Sequence, residues 1–164
     1  MSRRREANAV LAAPAEAVFA RLDDQTRLTE HMGKPSMMMG GGRMTYEFDA
    51  AKGRAVGSHI RMRGQAFGLE LYVDEVVIER APPYRKVWRT VGEPRLIIMG
   101  PYEMGYEITP DGDVRCELRV WIDYEPPPRG LGRRVPRLAA LYARWCVQQM
   151  VGDASAAFGA ANSA

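Results

Sequence analysis

The sequence of 164 residues is poor in the residues that usually carry metal or redox chemistry. It holds two cysteines and two histidines, and neither a Cys-x-x-Cys nor a His-x-x-x-His pair occurs. Cys116 and Cys146 both lie in apolar runs, where cysteine usually serves as a small core residue. The cysteine and histidine pattern of a Rieske iron–sulfur centre is absent as well. The sequence therefore predicts no metal site and no cofactor.

Long apolar runs and a strong charge of one sign are also absent. No run approaches the roughly 20 apolar residues of a membrane-spanning helix. The formal net charge of +3 is too small to indicate nucleic acid by itself. The N-terminus reads Met-Ser-Arg-Arg-Arg and then Glu6-Ala-Asn, which lacks the apolar core of a secretion signal. We therefore expect a cytoplasmic protein that neither spans a membrane nor binds nucleic acid.

The chain is rich in alternation between apolar and polar residues. From residue 43 to residue 124 this alternation is typical of strands with one buried and one solvated face. It predicts about six antiparallel strands, including one that begins at Arg95–Met99 and a last one at Val114–Tyr124. Asp111-Gly112 favours a tight hairpin before that last strand.

Two short helices and a loop are predicted between the first strand, Arg5–Ala12, and this series. Pro14 and Glu16 suit the first turn of the first helix. Asp23-Asp24 can cap a second helix. The loop that follows contains three methionines and three glycines at residues 37–42. This loop either forms an adaptable border of a pocket or is merely a connection between elements that tolerates many sequences.

The C-terminal part, Leu131–Phe158, is predicted as one continuous helix with two apolar stripes. The first stripe contains Leu138, Leu141, Tyr142, Trp145 and Gln149, and the second contains Val147, Met150, Val151, Ala154 and Phe158. A helix that is apolar on two faces is usually enclosed by other elements. We therefore predict a single α+β domain, residues 1–164, in which a strongly curved antiparallel sheet packs against this helix.

The opening of the chain resembles a known superfamily. Residues 9–19, Ala-Val-Leu-Ala-Ala-Pro-Ala-Glu-Ala-Val-Phe, are similar to the start of the START-like helix-grip superfamily, which includes the polyketide cyclase-like (SRPBCC) proteins. The resemblance extends to the order of elements over nearly all of the chain. It implies a seven-stranded sheet wrapped round the C-terminal helix, with a cavity between them for an apolar or amphipathic ligand. Superfamily members include carriers, cyclases, oxygenase domains and cochaperones, so the fold alone does not decide the function.

The candidate ligand site consists of apolar and aromatic residues on the predicted buried faces, several of which carry one polar atom. Such residues form either a packed core or the wall of a small-molecule cavity. The predicted ligand-binding residues are Met44, Tyr46, Trp88, Met104, Tyr106, Tyr142, Trp145 and Gln149. The Gln149 amide either faces this cavity or emerges into solvent near the end of the helix.

Two functions remain open at this stage. The first is a binding or carrier protein for a hydrophobic small molecule of lipid, polyketide or isoprenoid type. The second is a polyketide cyclase- or dehydratase-like enzyme that uses general acid–base residues in the same cavity. His59 falls on the polar side of its strand, and His31 is either a residue of the pocket entrance or a helix C-terminal residue favoured by the dipole. A binding role is favoured over an enzyme. A homodimer is possible.

Four arginines, Arg129, Arg133, Arg134 and Arg137, crowd the beginning of the C-terminal helix. They form either a solvated face or a patch for an anionic head group, a membrane surface or an acidic partner.

Overall fold

The structure, a computed structural model, describes residues 2–27 and 43–161. Three features of the sequence lie outside the described residues: His31, the end of the second short helix, and the methionine- and glycine-rich loop at residues 37–42.

Seven antiparallel strands form one sheet in the order β1-β7-β6-β5-β4-β3-β2. The strands are β1 (Arg3–Leu11), β2 (Arg43–Phe48), β3 (His59–Ala66), β4 (Leu69–Ala81), β5 (Arg85–Thr90), β6 (Tyr102–Pro110) and β7 (Cys116–Tyr124). Helix α1 (Ala15–Asp23) follows β1, and residues 25–27 are helical. Helices α2 (Leu131–Arg134) and α3 (Pro136–Phe158) follow β7. The predicted α+β helix-grip architecture is confirmed.

The turn between β3 and β4 has only two residues, Phe67 and Gly68. Both have positive φ angles, 54° and 73°, as in the type I′ turn whose twist matches that of the flanking strands. Phe67 is 76% exposed at the tip of this turn. The hairpin thus carries an exposed aromatic ring at one end of the sheet.

Three strands differ from the prediction. The first spans Arg3–Leu11 and not Arg5–Ala12. Arg95–Met99 is not a strand, because only an isolated bridge joins Arg95 to Tyr72 of β4. The last strand starts at Cys116, since Val114 lies exposed in the loop 111–115. The predicted hairpin between β6 and β7 is present, and its loop is longer than two residues.

The predicted continuous C-terminal helix is interrupted at Val135. The backbone there has φ −125° and ψ 77°, outside the helical region. The cause is Pro136, because the proline ring disfavours the helical conformation of the residue before it. Proline itself fits the first turn of a helix, so α3 begins at that residue. In the part of the chain that the structure describes, no helix is long and apolar enough to cross a membrane.

Helix α3 has a buried face, a face towards the open half of the sheet, and an exposed face. Small residues dominate the buried face, which contains Ala139, Ala143, Val147, Met150 and Ala154. This face packs against β1 and β7 and shares one apolar core with α1. The second predicted stripe is therefore correct.

The placement of Leu141 on a buried stripe is wrong, because its side chain is 56% exposed. Helical periodicity places Leu141 on the same stripe as Trp145, one turn later. The sheet packs against only one side of this stripe, the side that carries Trp145, and Leu141 lies on the other side.

Replacing Leu141 with Ala should therefore lower the free energy of unfolding by less than about 0.5 kcal/mol, as for other exposed positions. The same change at Leu118, which is fully buried on β7, should cost about 2–5 kcal/mol through lost burial and a residual cavity. Chemical unfolding of both variants measures the difference. Equal losses would contradict the placement of Leu141 on the outer face of α3.

Candidate functional site

Among the described residues, a cavity of about 240 Å³ lies between α3 and the half of the sheet that α1 does not cover. Its walls come from inward residues of strands β2 to β7, from the segment at residues 96–99, and from α3. An apolar cavity of about 150 Å³ is enough to hold benzene in another protein. The space here therefore suits a compact molecule of one or two rings.

Seven of the eight predicted ligand-binding residues line this cavity. They are Met44, Tyr46, Trp88, Met104, Tyr142, Trp145 and Gln149. Gln149 is exposed as a residue and also lines the cavity, so it lies at the cavity's edge. That these side chains contact a ligand remains a prediction.

Tyr106, the eighth predicted residue, does not line the cavity. It is fully buried, and its ring lies 5.8 Å from that of Phe19 in α1 and 6.1 Å from that of Trp88. Strand parity places Tyr106 on the inner face correctly, but α1 covers this part of the sheet. Tyr106 therefore belongs to the packed core.

The cavity contains a buried carboxyl group, that of Glu75 on β4. Glu75 is 6% exposed, and the Tyr102 hydroxyl donates a hydrogen bond to its Oε1 atom. Both residues line the cavity. The pair forms a hydrogen-bonding point on a mostly apolar wall.

Burial raises the pKa of Glu75 from its ordinary 4.5 to about 7. The Tyr102 hydroxyl, the charge of Lys86 and the Trp88 indole act in the opposite direction and stabilise the carboxylate. Since burial dominates, Glu75 exchanges its proton near neutral pH. In this range a group can act either as a donor or as an acceptor, and either as an acid or as a base.

Three further hydrogen-bond donors stand near Glu75, namely Tyr46, Tyr142 and Cys146. Burial raises the pKa of both tyrosines, and it raises that of Cys146 to about 12. The negative charge of Glu75 contributes to each shift. All three groups therefore stay protonated near neutral pH. Together with Glu75 and Tyr102 they form what we term the polar cluster.

The end of the cavity next to α1 holds Gln25 and Asp153. The Gln25 Oε1 atom is buried and has no hydrogen-bond partner among the described residues. Asp153 accepts hydrogen bonds of 3.1 and 3.2 Å from Arg21 of α1. The cavity thus has a second polar point at this end, formed by Gln25 and Asp153.

A buried ion network fixes α1 above the sheet beside the cavity. Lys86 of β5 is 0% exposed, and its Nζ atom donates to Asp23 at 2.8 Å. Arg80 donates to the same carboxylate at 2.8 and 3.2 Å. Burial alone would raise the pKa of Asp23, but the hydrogen bonds from Arg80 and Lys86 outweigh it and lower that pKa. Burial lowers the pKa of Lys86.

Sequence reasoning missed Glu75, Tyr102 and Lys86, although strand parity contains the signal for all three. Glu75 lies between Val73 and Val77 on the inward side of β4. A charged residue in the apolar register of a strand has to find a partner or change its ionisation. Such a residue is therefore a candidate for a functional site.

The other predicted candidates that the structure describes are His59, Cys116 and Cys146. The His59 Nδ1 atom lies 2.9 Å from Asp74 Oδ1, as in an ordinary partly exposed pair. Cys116 is buried in the core, as expected, whereas Cys146 belongs to the cavity wall. Within residues 2–27 and 43–161, no group of three or more metal-ligating side chains comes together.

The raised pKa of Glu75 predicts a dependence of stability on pH. Between pH 4.5 and about 7 the folded chain keeps a proton on Glu75 that the unfolded chain releases. The contribution of Glu75 to the free energy of unfolding should therefore fall as the pH rises, by about 1.4 kcal/mol per pH unit and about 3 kcal/mol in total. Chemical unfolding of the wild type and of Glu75→Gln across this range measures the effect, because the glutamine variant lacks this contribution.

The matched control is Glu117→Gln, which alters an exposed carboxyl on β7. Its stability should follow the wild-type curve at every pH. A difference between the wild type and Glu75→Gln that does not change with pH would contradict the raised pKa.

Comparison with known proteins finds similar solved structures. No protein-family model matches the chain. No curated protein matches it.

Three solved structures illustrate the likeness. Norcoclaurine synthase from Thalictrum flavum, solved with dopamine and hydroxybenzaldehyde, has a TM-score of 0.63 at 16% identity over 94% of this chain and 84% of that chain. The Zhui aromatase/cyclase from Streptomyces sp. R1128 has a TM-score of 0.64 at 13% identity over 94% of both chains. Ara h 8.0201 has a TM-score of 0.62 at 12% identity over 95% of this chain and 99% of that chain. The chain therefore has the START/Bet v1 helix-grip fold, as the resemblance of its residues 9–19 indicates.

Proposed function

We propose that the protein binds a compact apolar or amphipathic molecule in the cavity between the sheet and α3. The observation that carries this proposal is an apolar cavity of about 240 Å³ whose wall contains the hydrogen-bonded pair of Glu75 and Tyr102. Apolar walls with a few oriented polar groups are typical of small-molecule sites. Norcoclaurine synthase, which has the same fold, holds the single-ring molecules dopamine and hydroxybenzaldehyde, and these are of a size that suits this cavity.

The volume and the polar cluster narrow the class of ligand. A two-chain lipid exceeds the space, whereas a polyketide- or isoprenoid-type molecule with one or two rings fits it. The tyrosine hydroxyls can donate hydrogen bonds to a carbonyl or hydroxyl oxygen of the ligand. A buried ligand oxygen without such a donor would cost about 1–3 kcal/mol. The polar cluster therefore favours a ligand with an apolar body and an oxygen-bearing group.

A naphthalene dye with a ketone group, such as prodan, should bind in this cavity. Its emission should shift to shorter wavelength, and the emission of Trp88 and Trp145 should decrease, because both tryptophans line the cavity. Replacing Cys146 with Phe fills part of the space and should weaken binding about tenfold or more, a loss of about 1.4 kcal/mol. Fluorescence titration of both proteins measures the two dissociation constants.

Leu141→Phe is the matched control, since it adds a ring to the same helix on its exposed face. This variant should bind the dye as the wild type does. Equal affinity in all three proteins would place the dye outside the cavity and would count against the proposed ligand site.

A second candidate function is acid–base catalysis on the bound molecule. The observation in its favour is the pKa of Glu75, about 7, because a proton-transfer group works best when its pKa is near the working pH. In this role the Glu75 carboxylate would remove a proton from the carbon next to a ligand carbonyl and later return a proton to the ligand. The tyrosine hydroxyls of the polar cluster would hold the carbonyl oxygen.

Catalysis of this kind predicts deuterium exchange into a simple aryl ketone. Acetophenone in D₂O should exchange its methyl protons faster with the protein present, and the rate should rise as the pH passes about 7 and Glu75 ionises. Glu75→Gln should remove most of this acceleration, since general base catalysis contributes about 10²–10⁴-fold. Proton NMR follows the exchange.

The control, Glu117→Gln, keeps Glu75 and should leave the exchange rate unchanged. If Glu75→Gln binds the dye normally and no protein accelerates exchange, the protein is a binding protein and the catalytic candidate is wrong.

A further inference from the structure

The chain around the start of α3 carries an unusual excess of positive charge. Residues 126–152 contain five arginines and no acidic residue. The five are Arg129, Arg133, Arg134, Arg137 and Arg144, and each is exposed. Across residues 2–27 and 43–161, none of them forms an ion pair with a carboxylate. Their charges are therefore available to an external anion.

Exposed aliphatic side chains lie among these arginines. Leu131 of α2 is 54% exposed, Leu141 of α3 is 56% exposed, and Val135 between the two helices is also exposed. Arg137 and Leu141 are four residues apart, and Arg144 follows three residues later, so all three share one face of α3. We call the five arginines and these three aliphatic residues the entrance surface.

The entrance surface borders the cavity on two sides. A Cβ atom on Gly132 of α2 would come within 2.7 Å of the Ile98 Cα atom, so α2 packs directly on a segment that lines the cavity. Leu141 precedes Trp145, another lining residue, by one helical turn. The exposed ring of Phe67 lines the cavity as well. The entrance surface therefore adjoins two segments that line the cavity, the segment at residues 96–99 and the part of α3 around Trp145.

We propose that the entrance surface, which adjoins segments that line the cavity, docks on an anionic lipid bilayer. Phosphate and carboxylate head groups satisfy the arginines, and the acyl boundary below them accepts the leucine and valine side chains. A nucleic acid backbone would pair with the arginines but offers no apolar partner for the aliphatic residues. Docking is a surface contact that stands apart from the proposed cavity ligand, and it requires no ligand to be tested.

The test uses vesicles of phosphatidylcholine, with and without one-third phosphatidylserine, in a flotation assay with the full chain. The wild type should float with the anionic vesicles and not with the neutral ones, and binding should weaken in high salt. Each arginine near an anionic surface contributes about 1 kcal/mol, or about fivefold in affinity. Arg134→Glu/Arg137→Glu should therefore weaken binding by about twentyfold or more.

A charge-matched control separates docking from the attraction of any basic protein. Lys52→Glu/Arg89→Glu changes the net charge equally at two exposed residues outside the entrance surface, and Lys52 lies in the loop at the opposite end of β3 from Phe67. This variant should keep affinity within about threefold of the wild type, since screening limits charge effects to about 10 Å. Equal losses in the two charge variants would overturn the proposal.

A second pair of variants tests the aliphatic contribution. Leu131→Ser/Leu141→Ser should weaken vesicle binding about tenfold or more, because each leucine loses apolar burial. Val56→Ser/Val114→Ser, at exposed positions in other loops, should have no effect. Thermal unfolding confirms that each variant is folded.

Three further results would overturn bilayer docking. One is failure of the wild type to float with anionic vesicles at low salt. Another is full binding by the Leu131→Ser/Leu141→Ser variant. The third is arginine-dependent binding to heparin or duplex DNA without vesicle binding, which would assign the surface to a polyanion instead.

Discussion

The close approach of α3 to one half of the sheet determines the rest of the architecture. Ala139, Ala143 and Ala154 allow the helix to lie directly on β1 and β7, since larger side chains would push it away. The next face of the helix, with Tyr142 and Trp145, is then held over the other half of the sheet. There the inward residues of β2, β3 and β4 form a separate apolar cluster. The cavity is the space between this cluster and α3.

The buried pair of Asp23 and Lys86 fixes the border between the filled half and the hollow half. Lys86 is fully buried on β5, so removal of Asp23 would leave an unpaired buried charge, which costs about 3–5 kcal/mol. The end of α1 is therefore held above β5, where it covers Tyr106 and excludes it from the cavity. The same lysine lies near enough to Glu75 to oppose the rise of its pKa. One ion pair thus affects both the shape and the electrostatics of the site.

Sequence reasoning succeeds where a local pattern decides the structure and fails where a distant element decides it. Alternation places most cavity residues on the inner face, and Glu75 could have been recognised in the same way. The interruption before Pro136 was also predictable, because it follows from the proline ring alone. The exposure of Leu141 was not, since helical periodicity does not show which sides of a helix meet other elements. The covering of Tyr106 by α1 was not predictable either, because the alternation along a strand does not show where a helix packs on the sheet.

The groups of the polar cluster differ in whether they change protonation near neutral pH, and this difference affects which ligand groups they can bind. Tyr46 and Tyr142 stay protonated near neutral pH, so each can always donate a hydrogen bond to a ligand oxygen. Glu75 alone changes state there, and it accepts a hydrogen bond from a ligand donor more strongly once it is ionised. A valine at this position would extend the apolar register of β4 and avoid a cost of about 3 kcal/mol at alkaline pH. The Glu75 carboxyl thus lowers the stability of the fold at a position that faces the cavity. Residues that break the local folding pattern in this way are typical of functional sites.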